Sequence, residues 1–344
     1  MKRSTKIWLA AGTTVVILAA ALAIAGYKVL LAPQFTPAST VYVQIDRDDT
    51  VDSVYYKVQT IGQAKSMLGF RWMAVWKEYD RLIRTGNYAI RPDDTPYRLY
   101  QRLAGGMQTP VKLTIGSVRT MDRLARLVGA QLMIDSAEVA KKLYDTTFVT
   151  SMQYTLATLP CLFIPNTYEV YWNIPVDDFF RRMQREHDAF WNKERTALAD
   201  SLGLTPTQVG ILASVVDEET NDAAEKPIVA GLYLNRLKRG MLLQADPTVK
   251  FAVGDFGLRR ILNRHLAIDS PYNTYKYSGL PPGPIRIPSI EGIEAVLHAR
   301  RHNYLYMAAK EDFSGRHNFA STLSEHLRNA RKYQAELNKR KIFD

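Results

Sequence analysis

The chain has one cysteine, Cys161, in 344 residues. A single thiol excludes an internal disulfide framework and a cysteine-built zinc site, and it leaves an oxidising compartment open. Cys161 stands in LPCLFIP, an apolar setting that reads as a small core residue and not a nucleophile. The six histidines form no HExxH or comparable spacing, so no metal is expected, and nothing calls for a cofactor. There is no GxSxG, phosphate-binding loop or GxGxxG, which leaves serine-nucleophile and nucleotide readings without support. Heptads, solenoid periods and low-complexity tracts are missing too. Lys plus Arg, at 45, exceed 34 acids for a net charge of +11, but the excess is scattered without a dense basic run. That pattern is a solvated surface and argues against nucleic acid as a partner. A hydrophobic content of 47% excludes a largely disordered chain, and the length leaves room for two or three domains.

The N-terminus carries the clearest compositional signal. After a tail at residues 1–6 comes an uncharged run, Ile7 to Tyr27, ending before Lys28. About 21 residues at about 1.5 Å each cross a hydrocarbon core of roughly 30 Å. Lys2, Arg3 and Lys6 precede the run, so the positive-inside rule keeps the N-terminus cytoplasmic and places the bulk of the chain outside, in a periplasm-like space. A cleaved signal peptide ending at Ala21-Leu22-Ala23 is the alternative, but signal peptides have shorter apolar regions, of about 7–15 residues. The expectation is a single-pass anchor in the cell membrane.

Residues 28–40 read as a linker, closing with LAPQFTPAST. A near-repeat follows: VYVQIDRDDTVDSVYYKV from Val41 and NYAIRPDDTPYRLYQRL from Asn87. Each is a short β-rich run, then Asp-Asp-Thr, then an amphipathic helical stretch. Thr50 and Thr95 suit helix N-caps, Pro96 a first helical position and Gly105-Gly106 a stop. With a third strand at Val111–Ile115, residues 41–116 form a small α+β module. Thr120 then suits the cap of the helix MDRLARLVGAQL, and residues 117–344 mix helices with proline- and glycine-rich connections. The fold class is α+β, with one N-terminal transmembrane helix.

The stretch ILASVVDEETNDAAEKP, from Ile211, runs an apolar helix into three consecutive acids. Thr205-Pro206-Thr207-Gln208 supplies its cap, first-turn proline and capping-box glutamine. At about 100° per residue, with Val209 at zero, Leu212 lies at about 300°, Val215 at about 240° and Val216 at about 340°. Glu219 falls at about 280°, inside that stripe, whereas Asp217 at about 80° and Glu218 at about 180° fall on its flanks. A carboxyl among valines and leucines loses hydration and holds its proton to higher pH, as a general acid requires. The alternative is an ion pair, with Arg236 as partner. Further on, Asp246 and Pro247 read as a cap and first turn, and Asn, Gln, Tyr and Thr cluster on loops as in a sugar-binding groove.

In order along the chain, FIPNTYEVYW, ASVVDEET, LYLNRL, LLQADPT, SPYNTY, GLPPGPI and RHNFASTLSEH resemble the MltG/YceG-like family of endolytic murein transglycosylases. The resemblance covers nearly the whole chain and implies an anchor, a LysM-like module at 41–116 and a mixed α+β catalytic domain at 117–344. It implies non-hydrolytic cleavage of the MurNAc–GlcNAc β-1,4 bond in peptidoglycan glycan strands. Glu219 would protonate the departing oxygen, then act as base on the MurNAc C6 hydroxyl, which closes a 1,6-anhydro ring. Gln244, Asn235, Tyr272, Asn273 and Tyr275 would line the groove or orient the glutamate, and His298 and His317 also match family positions. Peptidoglycan synthases of elongation or division are implied partners, and termination of strand growth an implied role. The chain departs from the family pattern at Asp217, where the first acid is usually Glu, at Asn166 in place of Asp, and at Arg286-Ile287-Pro288-Ser289.

Two other readings stand beside this one. A muramidase-type hydrolase would pair Glu219 with a second carboxylate, about 5–5.5 Å or about 6.5–9.5 Å away. Asp246 is the candidate for it. A glycan-binding scaffold without activity would bind strands and leave their length unchanged.

Overall fold

The computed structural model describes residues 3–258 and 261–340. Met1 and Lys2 of the expected tail, and residues 259–260 and 341–344 of the expected catalytic domain, lie outside the described residues. The N-terminal third runs α1 (Arg3–Gly26), β1 (Val41–Ile45), α2 (Val51–Ile61), α3 (Leu68–Trp76), β2 (Gly86–Ile90), α4 (Pro96–Ala104) and β3 (Val111–Ile115). There follow α5 (Met121–Gln131), α6 (Ser136–Leu143), α7 (Thr146–Ser151), β4 (Asn166–Val170), α8 (Val176–Phe190), α9 (Lys193–Ser201), α10 (Pro206–Glu219) and α11 (Lys226–Lys238). The chain ends with α12 (Asp246–Val253), α13 (Asn263–Leu266), α14 (Ile290–Leu297), β5 (Tyr306–Ala309), β6 (His317–Ala320) and α15 (Leu323–Lys339). The mixture is α+β, as expected. The chain divides into two units, one built mainly from Met1–Leu113 and the other mainly from residues 114–344, the second lacking 131–133 and 168–174.

In the first unit, α1 continues without a break through a π-helical turn at Tyr27–Leu31. The apolar span is Ala11–Leu31, displaced four residues beyond the Ile7–Tyr27 expected from charge alone, and its 21 residues are enough to cross a membrane. Segment 31–40 is packed against the module: Phe35 is fully buried, and the Gln34 and Thr36 amides donate to the Asp94 and Gly62 carbonyls. Strands β1 and β2 pair antiparallel from Val41↔Ile90 to Ile45↔Gly86, and α2, α3 and α4 close over Val43, Ile45, Phe70, Tyr88 and Leu99.

The near-repeat in the sequence is a repeat of structure. Thr50 accepts from the Ser53 amide and Thr95 from the Arg98 amide, capping α2 and α4. Just before each cap sits an acid that ties its turn back, since the Asp46 amide donates to Asp49 and the Arg91 amide to Asp94. Each acid also meets a cation eight residues on: Lys57 Nζ lies 2.5 Å from Asp49, and Arg102 Nη1 lies 2.5 Å from Asp94. Burial pushes the Asp49 carboxyl up, but the bonds from Lys57 and Ser53 outweigh it and leave the group below the usual range.

The second unit is organised around α10. Residues Val209 to Asp217 are all buried, packed by α11 and α14 and by Ile164, Ala199, Leu243 and Ile285. Cys161 is buried beside this helix, and burial pushes its thiol up to about 12, which fits a core residue. Ser214, mid-helix, turns its hydroxyl to the Ile211 carbonyl and accepts from the Ile285 amide, which fixes the GLPPGPI loop against α10.

Candidate active site

Helix α10 starts as its sequence dictates. Thr205 accepts from the Gln208 amide, the Gln208 side chain accepts from the Thr205 amide, and Pro206 occupies the first turn. Its last three residues are the acids, and they meet three different fates. Asp217 is buried, its carboxylate receiving Lys226 Nζ at 2.9 Å, the Ser289 hydroxyl at 2.7 Å and the Ser289 amide at 2.8 Å. Its predicted position off the core stripe is corrected here: α10 is enclosed on nearly every side, so a flank of the wheel is interior too. Glu218 accepts a two-pronged Arg119 at 2.8 Å on each oxygen and Arg286 Nη1 at 3.1 Å. The loop at residues 286–289 thus supplies partners to both acids, Ser289 to Asp217 and Arg286 to Glu218.

Glu219 receives no cation among the described residues. Its Oε1 accepts a 2.5 Å bond from the Tyr233 hydroxyl, carried on α11 and itself buried. Burial pushes the Glu219 carboxyl up to about 7, the nearby charges of Asp246 and Glu218 add to the rise, and the Tyr233 bond and Arg236 oppose it. Arg236 is not its ion-pair partner. Its guanidinium donates to the carbonyls of Leu305, Leu242 and Leu243 and to Gln244 Oε1, and lies 5.3 Å from the Tyr306 ring centroid. Through Nε and Nη1, Arg236 braces the loop walls, and it acts on Glu219 through its field.

Glu219 and Tyr233 lie in a cleft of about 350 Å³ walled by Gln244, Asp246, Tyr275 and Met307, and by the imidazoles of His317 and His326. Asp246 is the first residue of α12, and Ala245 holds the cap position without a side-chain cap. The carboxylate expected to cap is therefore free to accept the Tyr275 hydroxyl at 2.6 Å. Burial, then this bond, hold the Tyr275 hydroxyl well above the usual range. Thr274 pins the two loops together, taking the Gln244 amide on its carbonyl and the Ala245 amide on its hydroxyl. Gln244 is left-handed at φ 52°, a conformation that a non-glycine residue adopts only under restraint, and here it sits at the cleft wall.

Of the residues expected in the groove, Glu219, Gln244, Asp246 and Tyr275 come together with His317, whose Nδ1 lies 3.0 Å from Glu225. Asn235, Tyr272 and Asn273 do not line this cleft. Asn235 donates to the His302 and Tyr304 carbonyls. Asn273 is fully buried, donates to the Leu266 and Ile268 carbonyls and accepts from the Tyr275 amide, so it shapes the turn that presents Tyr275. Tyr272 packs on Phe251 with ring centroids 4.7 Å apart. His298 is exposed beside Glu294, and Asn166 is exposed on β4, where it accepts from the Thr167 amide. Sequence reasoning missed Tyr233 and His326. Tyr233 follows Leu232 in LYLNRL, where an i, i+3, i+4 reading of the helix takes it for core. His326 stacks on Tyr306 at 5.4 Å, and its buried Nδ1 has no hydrogen-bond partner. A roomier cavity of about 610 Å³, lined by Lys142, Phe148, Asp177 and Arg181, holds none of the expected residues.

The YceG-like family model matches residues 43–332, most of the chain, and the protein belongs to the YceG-like family. It is similar to the endolytic murein transglycosylase of Bacillus subtilis strain 168, 26% identical over 332 residues, which are 91% of this chain and 90% of that protein. It is also similar to the endolytic murein transglycosylase of Streptococcus pneumoniae serotype 2, 28% identical over 84% of this chain, and here it spans only 57% of the relative's length. Among solved structures, a YceG-like protein of Listeria monocytogenes matches with a TM-score of 0.58 at 25% identity, over 85% of this chain and 99% of the other.

Proposed function

We propose that this chain is an endolytic lytic transglycosylase of peptidoglycan, the activity named for its Bacillus and Streptococcus relatives. The observation that carries the reading is Glu219: a carboxyl lining a cleft, pushed up to about 7 by burial, with no ion-pair partner among the described residues. Such a group is protonated on a large share of molecules near neutrality, and so can hand a proton to a departing glycosidic oxygen. In this reading the same carboxyl then takes the proton of the MurNAc C6 hydroxyl as that oxygen attacks the anomeric carbon. The leaving sugar keeps the delivered proton, the 1,6-anhydro ring forms, and no water enters the balance. Tyr233 orients Glu219, while Gln244, Asp246 and Tyr275 contact the glycan.

The same proposal makes α1 an uncleaved anchor with a cytoplasmic N-terminus, residues 117–344 the catalytic domain, and residues 41–116 a LysM-like glycan-holding module. The antiparallel β1–β2 pair, with two helices between its strands, supports the last part. An enzyme so placed would meet new strands beside the synthases of elongation or division and end their growth.

Asp246 in the same cleft favours one other reading, a two-carboxylate hydrolase. Mass spectrometry of glycan digested by the full chain and by Glu219→Gln separates them. Anhydro-MurNAc ends from the wild type and none from the variant support the transglycosylase. Reducing ends would replace it with the hydrolase, and undiminished cutting by Glu219→Gln would remove Glu219 from the chemistry.

A further inference from the structure

Helix α3 is apolar on both faces. Gly69, Phe70, Met73 and Ala74 pack inward, as a helix on a small module requires. The opposite face presents Leu68, Trp72, Val75 and Trp76 to solvent, 64, 53, 77 and 65% exposed, at spacings of four, three and one. That spacing makes a single continuous stripe along the helix. The two indoles stack with centroids 5.5 Å apart, and Lys77 Nζ lies 4.1 Å over the Trp76 ring. A stripe this apolar is far from the scattered single exposures of an ordinary surface.

What fits the stripe is indicated by its neighbour. The end of the apolar span is fastened to this helix: a Cβ on Gly69 would collide with the Val29 carbonyl, Leu30 packs into the module's core, and Gln34 Nε2 donates to the Lys28 carbonyl at 3.0 Å. Helix α3 is therefore held at the level where the span ends, at Leu31. A surface at that level that combines indoles, aliphatic side chains and flanking cations matches the boundary between acyl chains and phosphates. Indoles concentrate there, and lysine or arginine stems reach from apolar depth to anionic headgroups. Arg71 and Lys77 are exposed on or beside the stripe.

We infer that the Leu68–Trp72–Val75–Trp76 face of α3 lies in the phospholipid headgroup boundary of the membrane that α1 enters, so that the module is docked flat on the bilayer as well as tethered to it. The inference rests on the proposed reading of α1 as an uncleaved anchor. The chain's five tryptophans permit a test that separates the two, because Trp8 lies in α1 three residues before the span, at the boundary opposite Trp72 and Trp76 and within reach of shallow bromines there. The full chain is reconstituted in phosphatidylethanolamine–phosphatidylglycerol vesicles whose acyl chains are brominated close to the headgroup or near the bilayer centre. Subtracting the emission of Trp72→Phe/Trp76→Phe isolates those two indoles, and subtracting that of Trp8→Phe isolates the anchor.

The expected result is blue-shifted emission from Trp72 and Trp76, with greater loss of intensity to the shallow bromines than to the deep ones. Water-like, unquenched emission from this pair while Trp8 is quenched would overturn the docked face and leave the anchor standing. Blue-shifted emission that no brominated lipid quenches would place a protein surface there, a second copy included, and would also overturn it. An unquenched Trp8 would overturn the anchor and the inference together. Val75→Cys carrying a polarity-sensitive dye keeps both tryptophans and gives an independent reading: a blue shift on vesicles is expected, and unchanged emission counts against the docked face. Cys161 is buried and does not compete for the label.

Discussion

The Asp-Asp-Thr turns of the N-terminal module and the Asp-Glu-Glu end of α10 both shelter acids at a helix terminus, and they differ in the treatment of one of them. In each turn of the module the acid next to the threonine is matched: Asp49 has Lys57 and Asp94 has Arg102, both eight residues on. On α10, Asp217 and Glu218 follow that rule with Lys226, Arg119 and Arg286. Glu219 breaks it, with a tyrosine hydroxyl where a guanidinium or ammonium would be expected. A matched buried acid keeps its charge and holds structure together, whereas an unmatched one keeps its proton and is available for chemistry. The rule also says which of three adjacent carboxylates to examine, which their sequence adjacency does not.

The comparison predicts that acids of the two kinds fail differently. Glu219→Gln is expected to lower glycan cleavage by about 10²–10⁴-fold, the usual contribution of a general acid, measured as release of muropeptide ends. The same variant should not lose stability. A carboxyl raised from 4.5 to about 7 favours the folded state fully below its unfolded value, and that advantage disappears as pH rises through 7. The Tm of Glu219→Gln should therefore match the wild type near pH 4 and exceed it at pH 8, and equal Tm differences at both pH values would break the comparison. Arg102→Met in the module should do the reverse. It strands Asp94, 3% exposed in its side chain, and should cost about 3–5 kcal/mol in denaturant unfolding of the module.

Tyr233→Phe tests the exception itself. Removing the hydroxyl removes a bond that favours the ionised carboxylate, so the alkaline limb of the activity profile should move upward, with rates down about ten- to a hundred-fold. An unmoved limb would mean that the bond does not govern Glu219. The smallest effect belongs to Arg119→Ala. That side chain is half-exposed, and Glu218 keeps Arg286, so under about 1 kcal/mol should be lost.

Much of the fold was legible in short-range chemistry. The Thr50, Thr95 and Thr205 caps, the Gln208 capping box and the strands at Val41 and Val111 each depend on residues within a few positions, and all are found. The wheel put Glu219 toward apolar neighbours because direction on a helix is local. Partners are not local. Asp217 meets Ser289 across 72 positions and Glu218 meets Arg119 across 99, and no periodicity carries that information. Asn235 and Asn273 were chosen for polarity, but in this structure their amides hold loop carbonyls at 2.8–3.1 Å, since a buried carbonyl without a donor is costly. Tyr233 was hidden for the opposite reason, because a tyrosine on a helix between leucines has the pattern of packing whether or not its hydroxyl has work.

The single bond from Tyr233 gives the two oxygens of Glu219 different standing. Oε1 is already taken as an acceptor, which leaves Oε2 as the port through which a proton is exchanged with a ligand. In the proposed reaction that port must serve twice, first releasing a proton to the oxygen that departs and then collecting one from the oxygen that arrives. Two oxygens that visit one port in succession approach the anomeric carbon from the same side of the ring. The C6 hydroxyl, tethered to its own ring, reaches the anomeric carbon only from the face that the departing oxygen leaves, so a single port held in place by Tyr233 suffices for both steps.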